Sequence, residues 1–315
     1  LALAGNYSGT TFANSTVTGS AGSGFAANNA DGFTVTDSEF STNADHGIRF
    51  DANKNSVARN NTIGNNGLYG VLVVTSDTGQ STSNIIVNGN FIGTDTSENV
   101  APNGRSGIWV LGSAEGHGPV DNVTIRGNRI ANNAVHGIEV WSATNVTLGG
   151  TRGDGSTENI ITANAQYGIA FTDHVTGSLV HGNSLFGNRQ AGLFLNGAKG
   201  VSVGGLDSSQ SLDIQKSDFG VVAGGDLSGT TLTGNTIHEN SQAGFQLLES
   251  RNFNIFRNTI EKNGAYGVLA MGDSSGSRIY GNAISDHGAG VWLAGARGMV
   301  IGSMAGMSNE QAVGN

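Results

Sequence analysis

Residues 127–140 read Gly-Asn-Arg-Ile-Ala-Asn-Asn-Ala-Val-His-Gly-Ile-Glu-Val, and versions of this stretch recur along the whole chain. Its second half, a Gly followed by an apolar, a variable and an apolar residue, begins at Gly47, Gly70, Gly107, Gly137, Gly168, Gly192, Gly220, Gly244, Gly267 and Gly290. Counted from a degenerate copy at Gly24, the spacings are 23, 23, 37, 30, 31, 24, 28, 24, 23 and 23 residues. The chain is therefore a tandem repeat of a short unit that carries insertions at some places.

Each unit holds three short segments in which apolar residues alternate with polar ones, and Gly or Asn separates the segments. This pattern predicts three short β-strands per unit, joined by turns. Three such strands cannot enclose a core alone, whereas stacked copies bury a continuous one. The sequence thus predicts an all-β solenoid, a parallel β-helix of about eleven coils that rise ~4.8 Å each, forming a single domain over residues 1–315.

Stacking makes two specific predictions about the interior. Residues one unit apart should form columns, for example Ile48 above Val71 in one sheet and Ile63 above Ile92 in another. An Asn also recurs nine residues before the Gly, and a second Asn follows five residues later, as Asn128 and Asn133 do. We expect their amides to bond from coil to coil in ladders, at turn positions that tolerate left-handed backbone angles.

Composition excludes several classes of protein. Only 12% of the residues are charged and 51 of 315 are Gly, which disfavours helical architecture because Gly costs about 1 kcal/mol relative to Ala in a helix. A net charge of −9 with 15 Lys and Arg argues against a nucleic-acid partner, which requires a basic face. The sequence lacks Cys and any run of 18 apolar residues, so we predict no thiolate metal site and no membrane span.

The repeat resembles that of the right-handed parallel β-helix proteins of the pectin-lyase-like superfamily. Within that group it is similar to the mannuronan epimerases and to large bacterial surface proteins built from the same repeat. The resemblance implies a right-handed helix, an extracellular or cell-surface location, and a functional groove on an outward face. The epimerase pattern places Tyr, Asp and His on one coil, whereas here Tyr167-Gly-Ile-Ala170 keeps only the Tyr.

Two groups of polar residues stand at outward positions. For chemistry on a uronate sugar, which the resemblance implies, His136 would be the base, Tyr167 the acid, and Arg105 or Arg126 the cation, with Glu139 orienting the His. The alternative is that His and Tyr before the Gly stack on each other between coils as turn residues. The second group is a binding candidate, and the alternative is a solvated surface pair; it consists of His46, Arg49, Asp51 and Tyr69.

An apolar stripe provides a different kind of candidate. The position two residues after the repeat Gly is outward, yet it is often large and apolar, as at Trp109 and Trp292; Trp141 lies close by. If bare, this stripe would mark a binding groove or partner surface, with the Trp residues stacking on sugar rings; if covered by the insertions, it is ordinary packing.

Two functions follow as hypotheses. The first is a non-catalytic structural or adhesion segment of a larger bacterial surface or secreted protein, which binds polysaccharide or neighbouring protein chains through the stripe. The alternative is a polysaccharide lyase or epimerase acting on uronate chains. No cofactor is predicted; the insertions Gly149–Gly155 and Gly204–Asp207 allow a structural calcium ion, but simple loop turns explain them better.

Overall fold

The chain forms a stack of coils whose three faces are parallel β-sheets. The computed structural model describes residues 2–6, 8–113 and 116–302, with side chains from residue 8 onward. The three sheets contain 12, 12 and 11 strands, and every strand pairs with the strand of the same kind in the next coil. The predicted parallel β-helix and its approximate number of coils are thereby confirmed.

The first sheet carries the longest strands and the candidate site. It consists of Ala2–Asn6, Phe25–Asp31, Ile48–Asp51, Val71–Val74, Ile108–Leu111, Ile138–Trp141, Tyr167–Thr172, Ala191–Asn196, Phe219–Asp226, Ala243–Arg251, Tyr266–Asp273 and Ala289–Arg297.

The other two sheets are built mostly from three-residue strands. The second sheet consists of Thr11–Ala13, Thr34–Thr36, Val57–Arg59, Thr82–Asn88, Val120–Arg126, Thr147–Gly149, Leu179–His181, Ser202–Gly204, Thr231–Thr233, Asn254–Phe256, Arg278–Tyr280 and Val300–Gly302. The third consists of Thr16–Thr18, Glu39–Ser41, Thr62–Gly64, Phe91–Ile92, Arg129–Ala131, Ile160–Thr162, Ser184–Phe186, Asp213–Gln215, Thr236–His238, Thr259–Glu261 and Ala283–Ser285. A short 3-10 turn covers Ser208–Gln210.

The predicted columns form the core. Val71 pairs with Ile48 on one side and with Ile108 on the other, and all three are fully buried. Ile63 and Ile92 pair in the third sheet and are equally buried. Because each apolar residue lies on its equivalent from the next coil, one hydrophobic cluster runs from Phe25 to Ile279.

Two buried Asn ladders line the turns on either side of the third sheet, as predicted. The amide Nδ2 of Asn90 donates to Oδ1 of Asn128, and that of Asn103 to Oδ1 of Asn133, at 3.0 and 2.9 Å. Oδ1 of Asn128 also accepts the backbone N–H of Asn90, and its Nδ2 donates to the carbonyl of Val87. Each amide is therefore satisfied inside the protein, which offsets the cost of burying it.

The left-handed backbone angles lie one residue earlier than predicted. Asn60, Gly127 and Asn132 have φ values of 53°, 63° and 61°, and each directly precedes a ladder Asn. The ladder Asn is thus selected for its amide, and the preceding residue makes the turn.

The repeat Gly is required by close approach of the next coil. A Cβ on Gly137 would lie 2.4 Å from Cγ2 of Ile161, 2.6 Å from the carbonyl oxygen of Gly168 and 2.9 Å from Nδ2 of Asn164. These distances leave no room for any side chain, so the coil can pass over its neighbour only at Gly.

Candidate functional site

The outward face of the first sheet has a repeated diagonal contact. The repeat Gly and the apolar residue after it both face the interior, so the residue before the Gly and the residue two after it face outward. The residue before the Gly in one coil contacts the residue two after the Gly in the next coil. This contact joins the rings of Tyr69 and Trp109 at 4.7 Å, of Tyr167 and Phe194 at 4.5 Å, and of Tyr266 and Trp292 at 5.9 Å between centroids.

His136 and Tyr167, two of the proposed catalytic residues, stack on each other. Their ring centroids are 5.1 Å apart with an angle of 11° between planes, and the backbone N–H of Tyr167 donates to Nδ1 of His136 at 3.3 Å. Burial lowers the pKa of His136 to about 4, so at neutral pH the ring is uncharged and its proton is on Nε2. His136 can then donate a hydrogen bond from Nε2, but its Nδ1 lone pair already accepts the N–H of Tyr167. Burial also raises the pKa of Tyr167.

His46 and Tyr69 repeat this arrangement in an earlier pair of coils. Their centroids are 5.5 Å apart, the backbone N–H of Tyr69 donates to Nδ1 of His46, and burial lowers the pKa of that His to about 4. Two occurrences of one geometry indicate a structural unit of the coil, in agreement with the stacking alternative.

Glu139, the third proposed catalytic residue, belongs to a separate group. Its Oε2 accepts a hydrogen bond from Ser106 Oγ at 2.7 Å. Burial raises the pKa of Glu139, while Ser106 and Arg105 oppose the rise. The hydroxyl of Tyr69, whose own pKa is raised by burial, also interacts with Arg105. Arg105 therefore lies at this group, whereas Arg126, the other candidate cation, ends a strand of the second sheet.

Arg49 and Asp51 hold an insertion in place. They form an ion pair with each other, and Asp51 Oδ1 accepts the backbone N–H of Ser76 at 2.8 Å while Arg49 donates to the Ser76 hydroxyl at 3.0 Å. His46, Asp51 and Tyr69 are each only 8% exposed. Four predicted binding residues thus have partners within the protein.

We call the part of this face from Ile48–Asp51 to Ile138–Trp141 the covered half. Leu72, Val74 and Leu111 form a buried cluster there, with exposures of 6%, 2% and 5%, and Trp109 and Trp141 pack against it. Insertions begin directly after Val74 and Leu111, and they are joined by a hydrogen bond from Gly118 N to the carbonyl of Thr75. Here the stripe is ordinary packing.

We call the part from Ala191–Asn196 to Ala289–Arg297 the bare half. Leu248, Met271 and Trp292 are 39%, 38% and 51% exposed. Its last four strands are eight or nine residues long, against four in the covered half. A groove of about 670 Å³ crosses this half, lined by Phe194, Asn196, Val222, Ala223, Gly224, Gly225, Leu248, Glu249, Arg251, Met271, Gly272 and Ala294.

Gly224, which has no side chain, and two shifts in strand pairing shape the groove. Gly224 pairs with Asn196 on one side and Leu248 on the other, so the outward column has a gap at that coil. The strand pairing shifts between Gly224 and Asp226, and again between Ala270 and Met271. Such bulges bend the strands and redirect the side chains beyond them.

Charged residues of both signs border the groove. Lys199 Nζ lies 2.8 Å from Asp226 Oδ2, and this contact, with hydroxyl and amide donors, holds the pKa of Asp226 far below its usual value. Hydrogen bonds from Ser275 lower the pKa of Asp273, with smaller contributions from Arg251 and Arg297. The repeat pattern does not by itself point to this border, although continuing the strand pattern past Leu248 reaches Glu249 and Arg251.

The two insertions at which a structural calcium ion was an alternative use their carboxylates in turns. Asp154 accepts hydrogen bonds from the backbone and hydroxyl of Ser156, and Asp207 accepts one from the backbone of Ser209. Among residues 2–6, 8–113 and 116–302, no group of three or more His, Asp or Glu side chains is placed to hold a metal ion. Within the same ranges no helix is long and apolar enough to cross a bilayer.

Comparison with known proteins identifies the fold. The family model described as "Right handed beta helix region" matches residues 2–152, 121–208 and 220–312. No curated protein matches the sequence.

Solved structures agree on the architecture at low sequence identity. The periplasmic alginate epimerase AlgG is 13% identical over 86% of this chain and 77% of its own, with a TM-score of 0.50. The Dettilon tailspike protein is 14% identical over 99% of this chain and 60% of its own, with a TM-score of 0.53. The A-module of the Azotobacter vinelandii mannuronan C-5 epimerase AlgE6 is 13% identical over 85% and 90%, with a TM-score of 0.48. At such identities the likeness concerns the fold alone.

Proposed function

Because the chain belongs to the family of right-handed β-helix regions, a scaffold that carries many activities, we propose its function from the site: it is a non-catalytic adhesion segment of a larger extracellular bacterial protein. In this proposal the bare half of the first sheet binds polysaccharide. The observation that carries the proposal is the groove of about 670 Å³ with its apolar floor and polar border.

The composition of the groove suits a sugar chain. Leu248, Met271 and Val222 offer apolar surface to the C–H faces of sugar rings, while Asn196 and Arg251 offer hydrogen bonds to hydroxyls. Binding sites for small molecules usually combine these two kinds of surface. Trp292 shares a strand with the lining residue Ala294 and contacts the ring of Tyr266, so it adds an aromatic ring on that strand.

Binding is tested by retention of the protein on a panel of immobilised bacterial and plant polysaccharides. We expect Leu248→Asp with Met271→Asp to abolish retention, because two carboxylates would replace the apolar floor. Leu179→Asp is the matched control, since Leu179 is 45% exposed on the second sheet. Equal retention of both variants, or binding of partner proteins but no polysaccharide, would refute the proposal.

The alternative activity, a uronate lyase or epimerase, is favoured by one observation. Arg105 interacts with both Tyr69 and Glu139, and a guanidinium is the group that best pairs with a carboxylate such as that of a uronate sugar. The protein is incubated with alginate and with pectate. A lyase would release unsaturated uronate, which is measured by absorbance, and an epimerase would change the proton NMR spectrum of the polysaccharide. Loss of either signal in His136→Ala and Glu139→Gln would establish this activity in place of the non-catalytic one.

A further inference from the structure

The groove runs along the helix axis, across successive coils. Five neighbouring strands each contribute to its lining, through Phe194, Val222, Leu248, Met271 and Ala294. Neighbouring strands of a sheet are about 4.8 Å apart, which is close to the advance of one sugar unit in an extended chain. A linear glycan lying parallel to the axis would therefore meet one further strand of the sheet at each sugar.

The charges along the groove cancel. Lys199, Arg251 and Arg297 supply three positive charges, and Asp226, Glu249 and Asp273 supply three negative ones. They also alternate in sign: Asp226 pairs with Arg251 in the sheet, and Asp273 pairs with Arg297. A ligand with one carboxylate per sugar would approach an anion as often as a cation, so it would gain little attraction and still lose its hydration.

From this balance we infer that the groove binds an uncharged linear polysaccharide, laid parallel to the helix axis with one sugar unit per coil. The inference rests on the proposed function and specifies its ligand. Phe194 lies on the first of the five strands and Trp292 on the last, so their rings would meet the outer sugars. Leu248 and Met271 contact the apolar faces of the sugars between them.

Calorimetric titration with two series of oligosaccharides tests the ligand class. The neutral series is cello- and manno-oligosaccharides of increasing length, and the acidic series is oligogalacturonates and oligomannuronates of the same lengths. We expect the neutral affinity to rise with length up to about five sugars, one per strand of the groove, and then to level off. It should change by less than about twofold between low and high salt, because no net charge is neutralised.

Substitutions on the border provide the decisive comparison. Glu249→Gln leaves the groove with one excess positive charge, so it should create measurable, salt-sensitive affinity for the acidic series. In that variant the ratio of acidic to neutral affinity should rise above that of the parent and fall again at high salt, since one negative charge has been removed from the groove. Trp292→Ala should weaken the neutral series by about tenfold or more, for a loss of about 1.4 kcal/mol, and Leu179→Ala should have no effect.

The outcomes separate the inference from the function on which it rests. Tighter binding of the acidic series by the parent, with strong salt dependence, would overturn the inference and leave polysaccharide binding intact. Neutral binding that Trp292→Ala does not weaken would place the ligand elsewhere and also overturn it. Failure of every glycan to bind a folded protein would refute the proposed function itself.

Discussion

The covered and bare halves of the first sheet share one repeat and differ in how exposed their outward apolar side chains are. In the covered half, Leu72 and Leu111 are 6% and 5% exposed, whereas Leu248 and Met271 in the bare half are 39% and 38% exposed. All four occupy outward positions of the same strand pattern. Insertions follow two strands of the covered half, after Val74 and Leu111, whereas two strand pairings of the bare half carry bulges. The repeat therefore places these apolar side chains on the outward face. The insertions and bulges that interrupt the repeat decide how exposed the side chains are.

Truncation of the apolar stripe should have its largest effect where the stripe is covered. Leu111→Ala leaves a cavity in a buried cluster and should cost about 2–4 kcal/mol locally, whereas the exposed Leu248→Ala should stay within about 0.5 kcal/mol of the parent. Urea unfolding can be followed by the fluorescence of Trp109 and Trp141 in a Trp292→Phe background. Similar losses in both variants would contradict the division into halves.

Acid should destabilise the covered half through two imidazoles, the buried His46 and the partly buried His136. Burial lowers the pKa of His46 and His136 from 6.5 to about 4. Between these values the unfolded chain binds more protons than the folded one, so stability is lost as the pH falls from 6.5 towards 4. The expected loss from pH 7 to pH 5 is on the order of 1–2 kcal/mol per imidazole.

The control for this prediction is His136→Gln, in which the amide oxygen can accept the N–H of Tyr167 but cannot titrate. Its unfolding midpoint, followed by the same fluorescence, should depend less on pH than that of the parent. An unchanged pH dependence would mean that His136 is not protonated on unfolding in this range.

The smallest effect is expected where the insertion is attached. Asp51→Asn removes the charge that pairs with Arg49 but keeps an oxygen for the N–H of Ser76. Because the Arg49 side chain is 33% exposed and water can solvate its charge once the pair is lost, the cost should be about 1 kcal/mol or less. Hydrogen exchange at Ser76 should quicken while exchange at Leu248 stays the same; faster exchange throughout the sheet would show that Asp51 supports the scaffold as a whole.

Much of this organisation follows from spacing alone. The columns through Val71, the ladders through Asn128 and Asn133, and the requirement for Gly137 all result from stacking equivalent residues one coil apart. Parallel pairing repeats the same environment at every coil, so a linear period translates directly into contacts. The partners of outward residues were harder to predict, because Gly and the residue after it both face inward and interrupt the alternation.

The sequence by itself determined the stacked coils, their columns and their internal amide ladders, because identical units bury their apolar faces only by lying on one another. Only the tertiary structure decided which outward residues became packing and which became surface. That choice depends on where insertions fold back and where bulges such as the one after Gly224 redirect a strand. Those contacts join residues whose separation along the chain follows no period, so no repeat in the sequence encodes them.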